Sequence, residues 1–296
     1  MSEVKIYDTT LRDGAQTEGI SYSLNDKMRI AEQLDSIGIH YIEGGFPSNT
    51  KDRELFKALK KKPLKNSCLV AFGATRYPHK KAGSDANIKC LLDTDTRVIT
   101  LFGKSWDLHL RDVLKTSLDE NLRMISDSIA YIKSKKREVV YDAEHFFDAF
   151  KANASYAVQT LKAAQDAGAS VLVLCDTNGG TLTTQLLEII KKVKAQVSVP
   201  LGIHTHNDCN LAVANSIVAV QEGCVQVQGT FNGYGERCGN ADLVSVIAII
   251  KTKLGIDCIS DKYLKELTKT AHFISVVSNM QQLPYLPFAG RSAFAH

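Results

Sequence analysis

The sequence predicts an α/β protein, a (β/α)8 TIM barrel with a C-terminal helix and a linker. Eight apolar, β-rich runs alternate with eight stretches of helical periodicity, which is the pattern of a parallel sheet with crossover helices. No G-x-G-x-x-G follows the first run, which favours closure over an open dinucleotide-binding sheet. Residues capable of chemistry gather where the runs end and not where they begin, as expected when one mouth of a barrel carries the site.

In chain order the expected strands are residues 4–7, 41–43, 68–71, 97–101, 138–141, 171–175, 201–205 and 225–229. The expected helices are 26–37, 52–61, a weak one at 85–92, 118–134, 154–167, 182–193, 211–222 and 242–254. Asn25 is placed to cap the first helix, Gly38 and Gly168 to end helices in the left-handed conformation, and Pro200 to set up a strand start. Residues 261–277 read as a further helix packed on the barrel, and 281–296 lose periodicity around Pro284 and Pro287. The expected division is a catalytic barrel over 1–278 and the start of a linker over 279–296.

Composition narrows the function class. At 296 residues, 44% hydrophobic and 23% charged, the chain reads as a soluble globular protein with a large core. Its net charge of +4 is small. The basic clusters at 57–65 and 133–137 lack interleaved aromatics and read as solvated helix ends, so no nucleic-acid partner is expected. Seven cysteines without a C-x-x-C pair argue against a disulfide framework and a thiolate zinc site, and imply a reducing compartment. No run of 18 apolar residues and no leader-like segment is present, so a cytoplasmic protein without a membrane partner is expected.

The strand ends carry the chemistry. After the first come Asp8, Arg12, Asp13 and Gln16, and at the second Glu43; Asp142 and Glu144 follow the fifth, and Asp176-Thr177-Asn178 the sixth. Asp13 could bind a hard cation, and Arg12 could hold a carboxylate or polarise a carbonyl; the alternative is a solvated loop with one capping Asp. His204 and His206 lie two apart at the seventh strand's end, so both imidazoles face one side and can share a cation. In a closed barrel strands seven, eight and one are neighbours, which brings these histidines, the loop holding Asn240 and Asp13 together. Two nitrogens, a carboxylate and an amide oxygen form a fairly hard set that suits Mg2+ or Mn2+ first and Zn2+ next. Gly233 to Gly239 is too short and too acidic for a phosphate cradle; its expected task is to swing Glu236 and Asn240 inward, with Tyr234 packed beneath and Cys238 inert.

Three segments, Leu11-Arg12-Asp13-Gly14-Ala15-Gln16, His204-Thr205-His206-Asn207-Asp208 and Gly233-Tyr234-Gly235-Glu236-Arg237-Cys238-Gly239-Asn240, carry a resemblance to the DRE-TIM metallolyase superfamily. Within it the chain resembles the acyl-CoA-dependent synthases of citramalate, isopropylmalate and homocitrate. Phe102-Gly103-Lys104-Ser105-Trp106-Asp107-Leu108-His109 and Asp176-Thr177-Asn178-Gly179-Gly180-Thr181 look closest to the citramalate branch. The resemblance implies a metal-dependent condensation of acetyl-CoA with pyruvate and thioester hydrolysis, an acyltransferase reaction of isoleucine (branched-chain amino acid) biosynthesis. It implies Asp13, His204, His206 and Asn240 as metal ligands, Arg12 facing the 2-keto acid, Gln16 and Thr177 contacting substrate or its waters, and Glu144 in acid–base chemistry. Glu144 could instead orient a water or a histidine. Glu43 either bears on the keto-acid pocket or the inner metal shell, or pairs with Arg12 at the barrel mouth. Trp106 and His109 either line the acyl-CoA entry or pack on a helix; His40, His79, His145 and His272 read as structural, without evident partners.

The nearest rivals are isopropylmalate and homocitrate synthase, which differ in pocket volume. A hydroxymethylglutaryl-CoA lyase is expected to carry a catalytic cysteine in a longer loop before the metal-binding asparagine. Family synthases continue past the linker into a smaller domain, so a barrel that binds keto acid without completing the chemistry is a further expectation. The resemblance also implies a homodimer.

Overall fold

The β-rich runs form eight parallel strands in the computed structural model, which describes residues 3–295. They are β1 (Lys5–Asp8), β2 (Tyr41–Glu43), β3 (Cys68–Ala74), β4 (Val98–Lys104), β5 (Glu138–Glu144), β6 (Val171–Asp176), β7 (Leu201–Thr205) and β8 (Gln226–Gly229). They close in sequence order, with β8 meeting β1 from Lys5↔Gln226 to Asp8↔Gly229. The helices are α1 (Leu24–Ser36), α2 (Thr50–Lys61), α3 (Ala86–Asp93), α4 (Asp107–His109), α5 (Leu118–Ser134), α6 (Phe146–Asp166), α7 (Thr183–Lys194), α8 (Ala212–Gln221), α9 (Leu243–Thr252), α10 (Asp261–Leu264) and α11 (Leu267–Val277). None is long and apolar enough to cross a membrane.

Side chains alternate across each strand, so one strand supplies two cores. Tyr7, Val70, Val98, Val140, Val173 and Cys175 fill the barrel interior. Their neighbours Ile6, Ala71, Ile99, Val139, Tyr141 and Leu172 point outward into the layer beneath the helices. The same parity aims Glu43, Phe72, Phe102, Lys104, Asp142, Glu144, His204 and Gln228 inward.

Most expected elements stand within two residues of their positions, and the departures have local causes. Asn25 does not cap the first helix. Ser23 does, accepting from the Asp26 amide at 3.2 Å, while the Asp26 side chain accepts from the Ser23 amide at 3.0 Å. β4 and β5 run three residues further than their apolar patterns because each ladder continues through Phe102↔Asp142 and Lys104↔Glu144. α6 starts eight residues early and breaks at Asn153, whose φ of −149° is extended. The expected 261–277 helix is two, α10 and α11, hinged at Lys265 and Glu266. Gly38 and Gly168 do end helices at φ of 72° and 96°. Residues 281–295 form turns; Ala289 is fully buried and the Phe288 carbonyl accepts from Thr268 Oγ1 at 2.9 Å.

Candidate metal centre and active site

β1 hands the chain to a tight turn after Asp8. Asp8 accepts from the Thr10 amide at 2.9 Å and its hydroxyl at 2.8 Å, and Thr10 Oγ1 accepts from the Phe231 amide at 2.9 Å, pinning the loop to the end of β8. This turn delivers Arg12 and Asp13 to the mouth. β7 delivers His204, with His206 one step beyond. The β8 loop then doubles back so that Asn240 pairs antiparallel with His206, held by Asn207 N to Gly239 O at 2.9 Å and Ala241 N to Thr205 O at 3.0 Å.

Asp13, His204 and His206 are all buried, and their ligand atoms lie within 4.8 Å of one another. The Nε2 atoms of the two histidines face each other at 3.3 Å, and Asp13 Oδ2 is 3.3 Å from that of His204. Gln228 donates from Nε2 to Asp142 Oδ1 at 3.0 Å, so its Oε1 accepts from His204 Nδ1 at 2.9 Å. That puts the His204 proton on Nδ1 and aims the Nε2 lone pair at Asp13 and His206. Asn240 donates from Nδ2 to Tyr234 O at 3.2 Å, leaving its Oδ1 buried without a hydrogen bond. Asp13 Oδ2 is buried and lacks one too. Convergent lone pairs on buried atoms cost free energy unless a cation or donor meets them. The residues therefore fit a divalent metal.

Electrostatics agree with this arrangement. Burial opposes charge on Asp13, but Arg12 beside it and the histidines hold its carboxyl well below the ordinary carboxylate range. Burial, together with His204, lowers His206 to about 3, so it is neutral and ready to bind a cation. Burial also raises Asp142, which lines the cleft, to about 7.

Arg12 is clamped on three sides. Its Nε meets Glu43 Oε1 at 2.5 Å, its Nη1 is 3.2 Å from Asp13, and its guanidinium lies 4.0 Å over the Phe72 ring. Glu43 is fully buried, also accepts from Tyr7 OH at 2.5 Å, and supports Arg12 from beneath without lining the cleft. The cleft, about 650 Å3 including its open mouth, is lined by Arg12, Asp13, Gln16, Thr177, Glu144 and both histidines. Phe46, Phe72 and Phe102 form one wall, packed edge-on or stacked at 5.2–6.4 Å. Gln16 donates to Glu236 at 2.8 Å across the β1 and β8 loops. Thr177 Oγ1 accepts from the His145 amide at 2.9 Å, so its own proton is free for the cleft. Glu144 meets Lys104 Nζ at 2.6 Å.

The structure brings Asp13, His204 and His206 together, with Asn240 paired to His206, and adds supports that spacing in the chain did not indicate. Gln228 and Asp142 had no assigned role, although Gln226 and Gln228 at inward parity in an otherwise apolar strand are a signal. His40 and His145 do have partners. His40 Nδ1 accepts from the Ile6 amide at 3.1 Å, and the His145 ring stands edge-on to His109 at 4.4 Å. Trp106 packs partly buried against the core and lies 5.2 Å from His109.

Residues 3–274 match the HMGL-like family. The chain is 54% identical over its full length to (R)-citramalate synthase of Geobacter sulfurreducens, and covers 56% of that protein. It is 33% identical over 99% of its length to a probable 2-isopropylmalate synthase of Methanosarcina acetivorans, covering 55% of it. The chain thus spans a little over half the length of these relatives. Among solved structures, an HMG-CoA lyase of Bacillus subtilis superposes with a TM-score of 0.79 over 95% of each chain at 19% identity, which shows the shared barrel fold.

Proposed function

The chain belongs to the HMGL-like family, and from that premise we propose that it is the catalytic barrel of an (R)-citramalate synthase. The reaction is condensation of acetyl-CoA with pyruvate, followed by attack of water on the thioester to give (R)-citramalate and CoA, in isoleucine biosynthesis. The observation that carries this reading is the much higher identity to citramalate synthase than to isopropylmalate synthase over the same residues. The wall of Phe46, Phe72 and Phe102, with Phe72 packed on Arg12, is consistent with it, since it offers an apolar surface for the side chain of a small keto acid.

Asp13, His204, His206 and Asn240 would hold the cation, with Mg2+ or Mn2+ favoured by the mixed oxygen and nitrogen set and Zn2+ the alternative. When bound, it would polarise the keto carbonyl. Arg12, immobilised by Glu43 and Phe72, meets the keto oxygen and stabilises the charge that gathers there when carbon attacks. Thr177 Oγ1 and Gln16 orient the carboxylate or its waters. Glu144 removes the proton from the acetyl methyl. The reading includes a cytoplasmic homodimer without nucleic-acid or membrane partners.

The test is thiol detection of CoA release from acetyl-CoA across a panel of 2-keto acids with Mg2+ or Mn2+, on this chain and on His204→Ala. Metal-dependent release, strongest with pyruvate and lost in the variant, is expected. Stronger release with 2-ketoisovalerate would instead select isopropylmalate synthesis. No release, despite metal-dependent pyruvate binding, would make this barrel the keto-acid-binding half of a longer enzyme.

A further inference from the structure

Removing a proton from a thioester methyl leaves negative charge on the thioester oxygen, and a base alone does not stabilise it. A preorganised donor aimed at that oxygen stabilises the charge without reorganising when it appears. Arg12 is committed elsewhere: Glu43 and Asp13 take its Nε and Nη1, and the reading above assigns its remaining donors to the keto oxygen. Arg237, the other arginine nearby, is bound to Asp208 through Nε and Nη2, with Nη2 also donating to Thr177 O.

Lys104 is differently placed. It ends β4 directly opposite Glu144 at the end of β5, and among the described residues it is the one lysine or arginine within 4.0 Å of that carboxylate. Its Nζ lies 2.6 Å from Glu144 Oε2 in an ion pair that falls outside hydrogen-bond geometry, so its N–H bonds are not all directed at Glu144. The ammonium also stands 6.0 Å from the Phe102 ring, which lines the cleft. Buried side chains fix its backbone: Asn121, fully buried, donates to the Lys104 carbonyl at 2.8 Å and to Tyr156 OH at 2.9 Å. The Ser105 amide donates to Glu144 O at 3.3 Å, so acid and ammonium sit on one rigid ladder. A second hollow, lined by Thr75, Tyr77, Phe102 and Lys104, shares Phe102 with the main cleft.

We infer that Lys104 is a catalytic residue whose ammonium holds the thioester carbonyl oxygen of the acyl donor while Glu144 takes the proton from its methyl carbon. This rests on the reading above, that acetyl-CoA is the donor. In the step, the C–H electron pair becomes the enolate C=C bond, the carbonyl pair moves to the oxygen held by Lys104, and the proton goes to Glu144. As the new C–C bond forms, the thioester carbonyl is restored and the charge passes to the former ketone oxygen beside Arg12.

Two measurements on Lys104→Met and Lys104→Arg test it. In the first, [1-13C]acetyl-CoA is bound without keto acid and its thioester carbonyl stretch is recorded. The band is expected to shift to lower frequency on the wild-type chain, remain at its solution value on K104M and shift partly on K104R. In the second, kcat and the exchange of acetyl-CoA methyl protons into deuterated water are each expected to fall about 100- to 1,000-fold in K104M. The KM for pyruvate is expected to change less than about threefold. An unshifted band on the wild-type chain, or the same band in K104M, overturns the proposal. A kcat loss without a change in the band also overturns it, since Lys104 would then act only by supporting Glu144. If the wild-type chain releases no CoA with any keto acid, the synthase reading fails, and the carbonyl band still decides the role of Lys104.

Discussion

Gln228 touches no substrate position, yet it decides which nitrogen of His204 faces the metal. Replacing it by leucine removes the acceptor for Nδ1, and Gln228→Leu is expected to weaken Mn2+ binding about 10- to 100-fold in a calorimetric titration. The barrel should stay folded, because Asp142, already raised to about 7 by burial, can take up a proton when it loses the Gln228 donor. An unchanged affinity would mean that the tautomer is held some other way. The aromatic wall predicts substrate choice. Phe46→Ala removes one ring of the cleft wall and, at about 1 to 3 kcal/mol per methylene, should shift the kcat/KM ratio toward 2-ketobutyrate by about tenfold. Competition assays with the two keto acids measure this ratio directly.

At the scale of elements, the β8 loop is the part whose shape the site depends on most. Gly239 has φ of 90°, and a Cβ there would lie 2.0 Å from Gly233 O, which itself accepts from the Asn240 amide at 3.0 Å. Gly239→Ala must therefore displace the backbone that carries Asn240. Loss of metal binding is expected while the circular dichroism of the barrel is retained. By contrast, the Ser23 cap of α1 is exposed and does not line the cleft, so it is expected to matter for stability. Ser23→Ala removes the side-chain acceptor of the Asp26 amide and should cost about 1 kcal/mol in urea unfolding, with metal affinity unchanged.

At the scale of the whole molecule, acid stability depends on ties between loops and helices. Arg76, after β3, donates to Glu120 at 2.8 Å and to Asp127 at 2.7 Å on α5, and Glu120 also accepts from the His79 amide at 2.8 Å. The Arg76 bond, with that amide, lowers the buried Glu120 carboxyl from 4.5 to about 2. A lowered carboxyl pKa means that the unfolded chain binds the proton first. The stabilisation is present above about pH 4.5 and is lost as pH falls toward 2. Urea midpoints at pH 6 and pH 3 should differ less in Glu120→Gln than in the wild-type chain. An equal pH response would show that other carboxylates govern acid unfolding.

Residues adjacent in the chain carried most of the fold in the sequence. Period-two runs such as those around Val98 and Val171 and the glycines at 38 and 168 could be read directly, because strand parity and left-handed turns depend on neighbours in the chain. The histidines at 204 and 206 could be read for the same reason, since spacing by two puts them on one side. Cross-strand partnership was not legible. That Lys104 faces Glu144, that Gln228 lies under His204, and that Ser23 rather than Asn25 starts α1 depend on register and on where a ladder or a first turn ends. Those are decided by contacts between residues tens to hundreds apart or, at the cap, by the choice between two polar side chains two apart. The sequence by itself determined a closed barrel with its chemistry at one mouth, because alternation and strand-end composition are local properties. Only the tertiary structure decided which lone pairs converge and which ammonium stands beside the base, because closing β8 onto β1 brings together atoms that no spacing in the chain relates.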